Sequence, residues 1–457
     1  MAAEDWLQAR SMRSSPPGCG ANTLTTGRFR NDPPATPWVL SARTAPALAE
    51  QAMRLQRFVE RCGDANPGDI AYSLATRMTF EHRAVVVGAG LRELMTGLAA
   101  IASGAPEPHV VVGKARIPGG TVFVFPGLGP QWSGMAAEML DTSTTFAEQM
   151  RCCDAAFAEF VDWSLIDVAR GSAGAPKLDR AETVQPLLFG VMVSLAAQWR
   201  ALGVQPDAVI GHSQGEIAAA YIAGALSLRD AAMVVCARSK AIAAIAGTGG
   251  MVAIPRPLQW VCTLIRRWCG LISVAAQNGP SSTVVTGDST ALEELMARCA
   301  AEDVAATRIP IDYAAQSVHV EELRDTLREE ISHLSPATGS DMSFISTVTG
   351  AGLDASILDG EYWFANLRQP VLLDDAVRWA YLHGYRTFIE SSPHPVLTAG
   401  IRDSLTECGD DHSVVATLRR DEGGMRRFLL SAAQAHVHGQ LIDWAGVVGG
   451  AGANAYS

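Results

Sequence analysis

A short apolar run, Ala208-Val209-Ile210, passes without a break into Gly211-His212-Ser213-Gln214-Gly215 and on into the helix-patterned stretch from Ile217 to Leu228, and few folds accommodate such a junction. A strand with no polar alternation is buried on both faces of a mainly parallel sheet. Glycine-x-serine-x-glycine between such a strand and a helix is the setting of a nucleophile elbow. The turn is sharp enough that a side chain at either flanking position would clash, which glycine avoids. Ser213 is therefore the candidate nucleophile. The following helix points its positive end at it, and the Gln214 amide can hold a developing oxyanion. Gly127-Leu128-Gly129, after a second buried strand, offers the Leu128 amide for the same task. An ordinary strand-to-helix turn can carry the same string, so this reading rests on the apolar strand and alanine-rich helix around it.

The rest of the pattern is α/β. Val122 to Phe125 and Thr387 to Ile389 read as further buried strands, separated by helical spacing. Functional loops of such sheets lie at the carboxyl ends of the strands. Between Met251 and Asp312 the order changes to strand, helix, strand, strand, helix, strand, which suits a small inserted antiparallel sheet with two helices on one face. Trp38 to Leu40, Ala47 to Cys62, His82 to Val87 and Leu91 to Ala102 form a smaller α/β unit ahead of the turn at Pro118-Gly119-Gly120. Residues 1–36 are too poor in apolar groups to repay ordering and read as an irregular tail.

Composition limits what the chain does. At 457 residues and 48% hydrophobic content it exceeds the ~250–300 residues at which single cores stop growing, so a main domain with smaller ones attached is expected. A formal charge of −11 with no basic run leaves little to neutralise phosphates, which excludes nucleic acid as a main partner. The nine cysteines lack the paired spacing of metal and redox sites; they read as reduced thiols, with no metal, in the cytoplasm. No secretory signal is recognised at the start. Thr183 to Trp199 contains Pro186 and falls short of a membrane span, so it reads as a buried helix and a membrane is not expected as a partner.

Three separated strings then carry a specific resemblance: FVFPGLGPQW at residues 123–132, GHSQGE at 211–216 and AQNGPSSTVVTG at 276–287. In this order they resemble the acyltransferase domains of modular polyketide synthases, relatives of malonyl-CoA:carrier-protein transacylases. The resemblance implies a hydrolase-like parallel-sheet core with an inserted ferredoxin-like subdomain, preceded by a small α/β linker domain. Its implied divisions are a tail at 1–36, a ketosynthase-to-acyltransferase linker at 37–118, an acyltransferase domain at 119–410 with the insertion at about 251–312, and a post-acyltransferase linker and tail at 411–457. It also implies an acyl-CoA substrate, an acyl-serine intermediate and transfer to the phosphopantetheine thiol of an acyl carrier protein. No bound cofactor is implied, and a ketosynthase is the expected neighbour. Arg238, in Ala237-Arg238-Ser239, corresponds to the family's arginine, whose planar fork grips a free carboxylate. Gln185, in Thr183-Val184-Gln185-Pro186, corresponds to a glutamine near the acyl group.

One departure is sharp. The family's catalytic histidine closes a YASH or HAFH motif, yet here the string is Tyr313-Ala314-Ala315-Gln316. An amide orients a hydroxyl but does not take its proton near neutral pH. General-base assistance is worth ~10²–10⁴-fold, so acylation is expected to be severely slowed. His319 is the possible substitute base, whereas His212 and His394 read as structural. Gln214, Tyr313 and the small Ala315 resemble the subset that selects methylmalonyl over malonyl. Two other readings stay open: a serine hydrolase, which shares the elbow, and a non-catalytic docking unit of a synthase, which the missing base favours.

Overall fold

The computed structural model describes residues 35–63, 65–115, 119–337 and 341–449. Residues 1–34 of the expected tail, Pro118 of the expected turn and residues 450–457 of the C-terminal tail lie outside the described residues. The first unit is a three-stranded antiparallel sheet of β1 (Thr36–Ala42), β2 (His82–Gly88) and β3 (Val110–Lys114), in that order. Helices Ala45–Cys62, Pro67–Ala75 and Leu91–Ser103 accompany it. Thr44 caps the first of these helices through its hydroxyl, and Asn66 caps the second through its side-chain oxygen.

The chain then enters the main body at β4 (Gly120–Phe125) and β5 (Ala208–Gly211). It makes the small sheet with β6 (Gly250–Ile254), β7 (Ile272–Gly279), β8 (Ser282–Gly287) and β9 (Thr307–Ile309). It returns through β10 (Ser343–Ser346), β11 (Ala351–Leu353), β12 (Val371–Leu372), β13 (Tyr385–Glu390) and β14 (Ser413–Ala416). The core sheet runs β11-β10-β5-β4-β13-β14, parallel throughout except for β11. Val122, Phe123, Val124 and Phe125 are fully buried, as a strand sandwiched between helix layers must be. Each such side chain contributes ~1.5–3 kcal/mol relative to exposure.

In the small sheet the strands β9-β6-β8-β7 are antiparallel neighbours, with helices Leu258–Ile265 and Ser289–Ala301 in the two crossovers. This is the ferredoxin-like order. β12 adds a fifth strand, parallel to β7, and ties the small sheet to the body. The expected boundary at residue 410 needs moving, because β14 pairs with β13 inside the core sheet. Its four residues were too short a run to stand out from a linker.

Helix Ala181–Ala201 is buried along most of its length, and no helix among the described residues is long and apolar enough to cross a membrane. The eight described cysteines form no disulfide.

Helix Met425–Val437 packs back on β2 and β3, where Arg83 donates to the carbonyls of His436 and Gln440. Burial, reinforced by the Arg83 charge, pushes the His436 imidazole down to about 3. The unfolded chain therefore takes a proton near pH 6.5 that the folded one refuses until about pH 3. Stability from this group is full above pH 6.5 and falls as the pH drops. His436→Leu is expected to flatten the decline in melting temperature between pH 7 and pH 5; an unchanged slope would contradict a buried neutral ring.

Candidate active site

The elbow forms because β5 ends against helix Gly215–Ile222 with no room for side chains. A Cβ on Gly211 would lie 2.2 Å from Glu216, and one on Gly215 would lie 2.0 Å from the Phe125 carbonyl oxygen. Ser213 between them is held at φ 54°, a left-handed conformation that costs a non-glycine residue energy and turns its hydroxyl out of the strand line. Gly215→Ala is expected to cost ~3 kcal/mol or more, because backbone on both sides of the contact leaves nothing free to rotate. Thermal unfolding checks this against Gly90→Ala, whose added methyl meets nothing within 4 Å. Comparable melting temperatures for the two variants would refute the tight junction.

Two side chains reach the Ser213 hydroxyl. Arg238, on helix Leu228–Ala244, donates from Nη2 at 2.8 Å, and Gln316 donates from Nε2 at 3.3 Å. Neither group accepts a proton, so the described residues supply no base at hydrogen-bond distance. Gln316 is buried with φ 55°, and its main-chain N–H donates to the Leu367 carbonyl at 3.0 Å. The ring of His319 lies in the turn Val318–Leu323 and makes no hydrogen bond to Ser213 among the described residues.

Burial lowers the Arg238 guanidinium to about 10, against the opposing pull of Tyr313 and Glu216, so it stays cationic at neutral pH. Its Nε has no partner among the described residues. Tyr313 is pushed up to about 12, chiefly by burial, with Arg238 and the Gln185 side chain acting the other way. Gln185 is buried and its Oε1 is left without a donor. Ala315 is buried beside this cluster in the chain.

The loop carrying Leu128 packs directly on the elbow: a Cβ on Gly127 would lie 3.1 Å from the His212 carbonyl oxygen and 3.7 Å from the Ser213 Cβ. Among the described residues, neither the Leu128 nor the Gln214 main-chain N–H has an acceptor. His212 points its Nε2 to the Asn278 Oδ1 at 2.8 Å, which fastens the small sheet to the elbow. His394 accepts the Arg420 amide at 3.1 Å.

The sequence reading missed a buried polar cluster beneath the serine. Asn366, on helix Gly360–Arg368, accepts from Arg238 Nη1 at 2.7 Å and donates to the Ser213 carbonyl at 3.2 Å and to Glu216 Oε2 at 2.8 Å. Glu216 also receives the Thr347 amide, the Thr347 hydroxyl and the Tyr362 hydroxyl. Burial raises its carboxyl, and these donors oppose the shift. The available signal was Glu216 itself, a charge in the first turn of an otherwise apolar helix.

A parallel α/β sheet with an elbow serine, two unused amides and a guanidinium at the hydroxyl defines the acyl-transfer class of serine proteins. The Acyl transferase domain family matches residues 122–441, and the family described as CurL-like, PKS C-terminal matches residues 37–98. The chain belongs to the acyltransferase domains of modular polyketide synthases. It is 52% identical over 422 residues to the Mycoketide-CoA synthase of Mycobacterium tuberculosis, covering 92% of this chain and 10% of that protein. It is 48% identical over 417 residues to the pikromycin polyketide synthase component PikAII of Streptomyces venezuelae, covering 90% of this chain and 11% of that protein. The chain thus spans about a tenth of the length of these relatives. Among solved structures, the acyltransferase domain from module 8 of the salinomycin polyketide synthase matches with a TM-score of 0.87 and 47% identity. That match covers 90% of this chain and 98% of the other.

Proposed function

We propose that this chain loads a carboxylated acyl group, methylmalonyl in preference to malonyl, from coenzyme A onto Ser213. From there it passes to the phosphopantetheine thiol of an acyl carrier protein, with acylation slowed by Gln316. The observation that carries the reading is the guanidinium 2.8 Å from the Ser213 hydroxyl. A cation at the nucleophile favours an acyl group bearing its own negative charge.

In the first half-reaction the serine Oγ bonds to the thioester carbonyl carbon, the C–S bond breaks, and coenzyme A leaves with the serine proton. In the second, the carrier thiol takes the acyl group and the proton returns to Ser213. Splitting one transfer into two is the purpose of a covalent ester. In this reading the Leu128 and Gln214 amides receive the oxyanion. Ala315 leaves space for an α-methyl branch, a preference worth only ~1–3 kcal/mol. The chemistry asks for no resident cofactor: coenzyme A enters as substrate and phosphopantetheine arrives on the carrier. A ketosynthase domain is the neighbour we propose for the N-terminal unit, in the cytoplasm.

Intact-mass measurement after incubation with malonyl-CoA, methylmalonyl-CoA and acetyl-CoA tests the reading. Slow labelling by the carboxylated donors at Ser213, absent in Ser213→Ala, is expected. Full labelling of Ser213→Ala would assign the nucleophile elsewhere. The lack of a proton acceptor at Ser213 among the described residues favours one second reading, a docking unit that keeps the fold and no longer turns over; membership of the acyltransferase family weighs against a hydrolase.

A further inference from the structure

We infer that Asn366, oriented by Glu216, is the positioning residue that holds Arg238 in register with Ser213 and thereby sets the preference for carboxylated over neutral acyl groups. This rests on the carboxylate-binding role proposed for Arg238. An arginine side chain carries many rotamers, and a receptor that must first be ordered binds more weakly than one already in place. Here the Nη1 end is anchored at 2.7 Å to the Asn366 Oδ1, while Nη2 faces the nucleophile and Nε has no partner. The anchored end leaves the Nε and Nη2 edge for a carboxylate.

The amide of Asn366 cannot turn over without penalty. Its Nδ2 is committed to the Ser213 carbonyl and to Glu216 Oε2, so its oxygen must face the guanidinium. A flipped amide would set N–H against N–H at Arg238 and carbonyl against carboxylate at Glu216. Glu216 is fixed in turn by Thr347 and Tyr362. As a neutral spacer, Asn366 also keeps this carboxylate from pairing directly with Arg238, so the guanidinium charge stays available to a ligand while Glu216 supports it from one residue away.

The test is calorimetric binding of malonyl-CoA and acetyl-CoA to the whole chain, to Asn366→Ala, Asn366→Asp and Arg238→Ala, and to the Asn366→Ala/Arg238→Ala pair. Slow acylation of Ser213, with Gln316 in place of a base, allows binding to be read at equilibrium. Asn366→Ala is expected to weaken malonyl-CoA by ~10-fold or more and acetyl-CoA by less than ~2-fold, as loss of a hydrogen bond to a charged group implies. In the Arg238→Ala background it should add nothing to the malonyl-CoA loss. Asn366→Asp, the same size, places a carboxylate on Arg238 and should abolish the malonyl preference; it serves if the alanine variant does not fold. Equal weakening of both ligands, a full further loss without Arg238, or an aspartate variant that keeps its preference overturns the inference. If Arg238→Ala itself leaves the malonyl to acetyl ratio unchanged, the carboxylate reading fails and this inference with it. That result is distinct from one in which only the Asn366 variants are silent.

Discussion

Gln316→His is expected to raise single-turnover acylation of Ser213 by methylmalonyl-CoA at least ~10²-fold, with little change in substrate affinity, because a base acts on the transition state. The geometry for the exchange exists: the present amide lies 3.3 Å from the hydroxyl, and the backbone that presents it is held by a main-chain bond to Leu367. The substitution leaves in place Arg238 and the Leu128 and Gln214 amides proposed to hold the oxyanion. The comparison needs the chain as given, Gln316→His, and His319→Ala in each background. A fast starting chain that His319→Ala silences would move the base to His319. A Gln316→His variant no faster than its parent would favour the docking-unit reading.

Arg238→Ala is expected to reduce acylation by malonyl-type donors by ~30-fold to ~5 × 10³-fold while acetyl transfer changes little, because truncating one partner of a buried hydrogen-bonded charge pair costs ~2–5 kcal/mol. The buried guanidinium has the right setting for so large an effect, since surrounding water is excluded and its charge persists at neutral pH. The measurement is the ratio of kcat/KM for methylmalonyl-CoA and acetyl-CoA, made in the Gln316→His background for signal. A parallel loss with both donors would make Arg238 a structural residue.

Much of this was legible along the chain, for identifiable reasons. Buried parallel strands announce themselves by unbroken apolar runs, so β4, β5 and β13 were found within two residues of their ends. The elbow was legible because its constraint is local: two glycines, a serine and the strand and helix on either side. The small strands β10, β11, β12 and β14 were not, since two to four residues carry no period. Helix Pro67–Ala75 and strand β3, which the first unit needs, were also left as connection in the sequence reading. At the site, residues within a motif were located, whereas Asn366 was missed. It lies 153 positions from Ser213 in the chain, and nothing in its own neighbourhood marks it as polar machinery. Only the crossing of helix Gly360–Arg368 beneath the elbow brings it there.

The way residue 316 is held has a consequence beyond this chain's present chemistry. Its conformation is secured by the main chain, through the left-handed φ and the bond to Leu367, and not by what its side chain does. Fold and reactivity are therefore uncoupled at this point, and selection can act on one without penalising the other. Glutamine and histidine codons differ only in their third base. Under the reading proposed here, a single transversion separates a slowed loading step from a fast one.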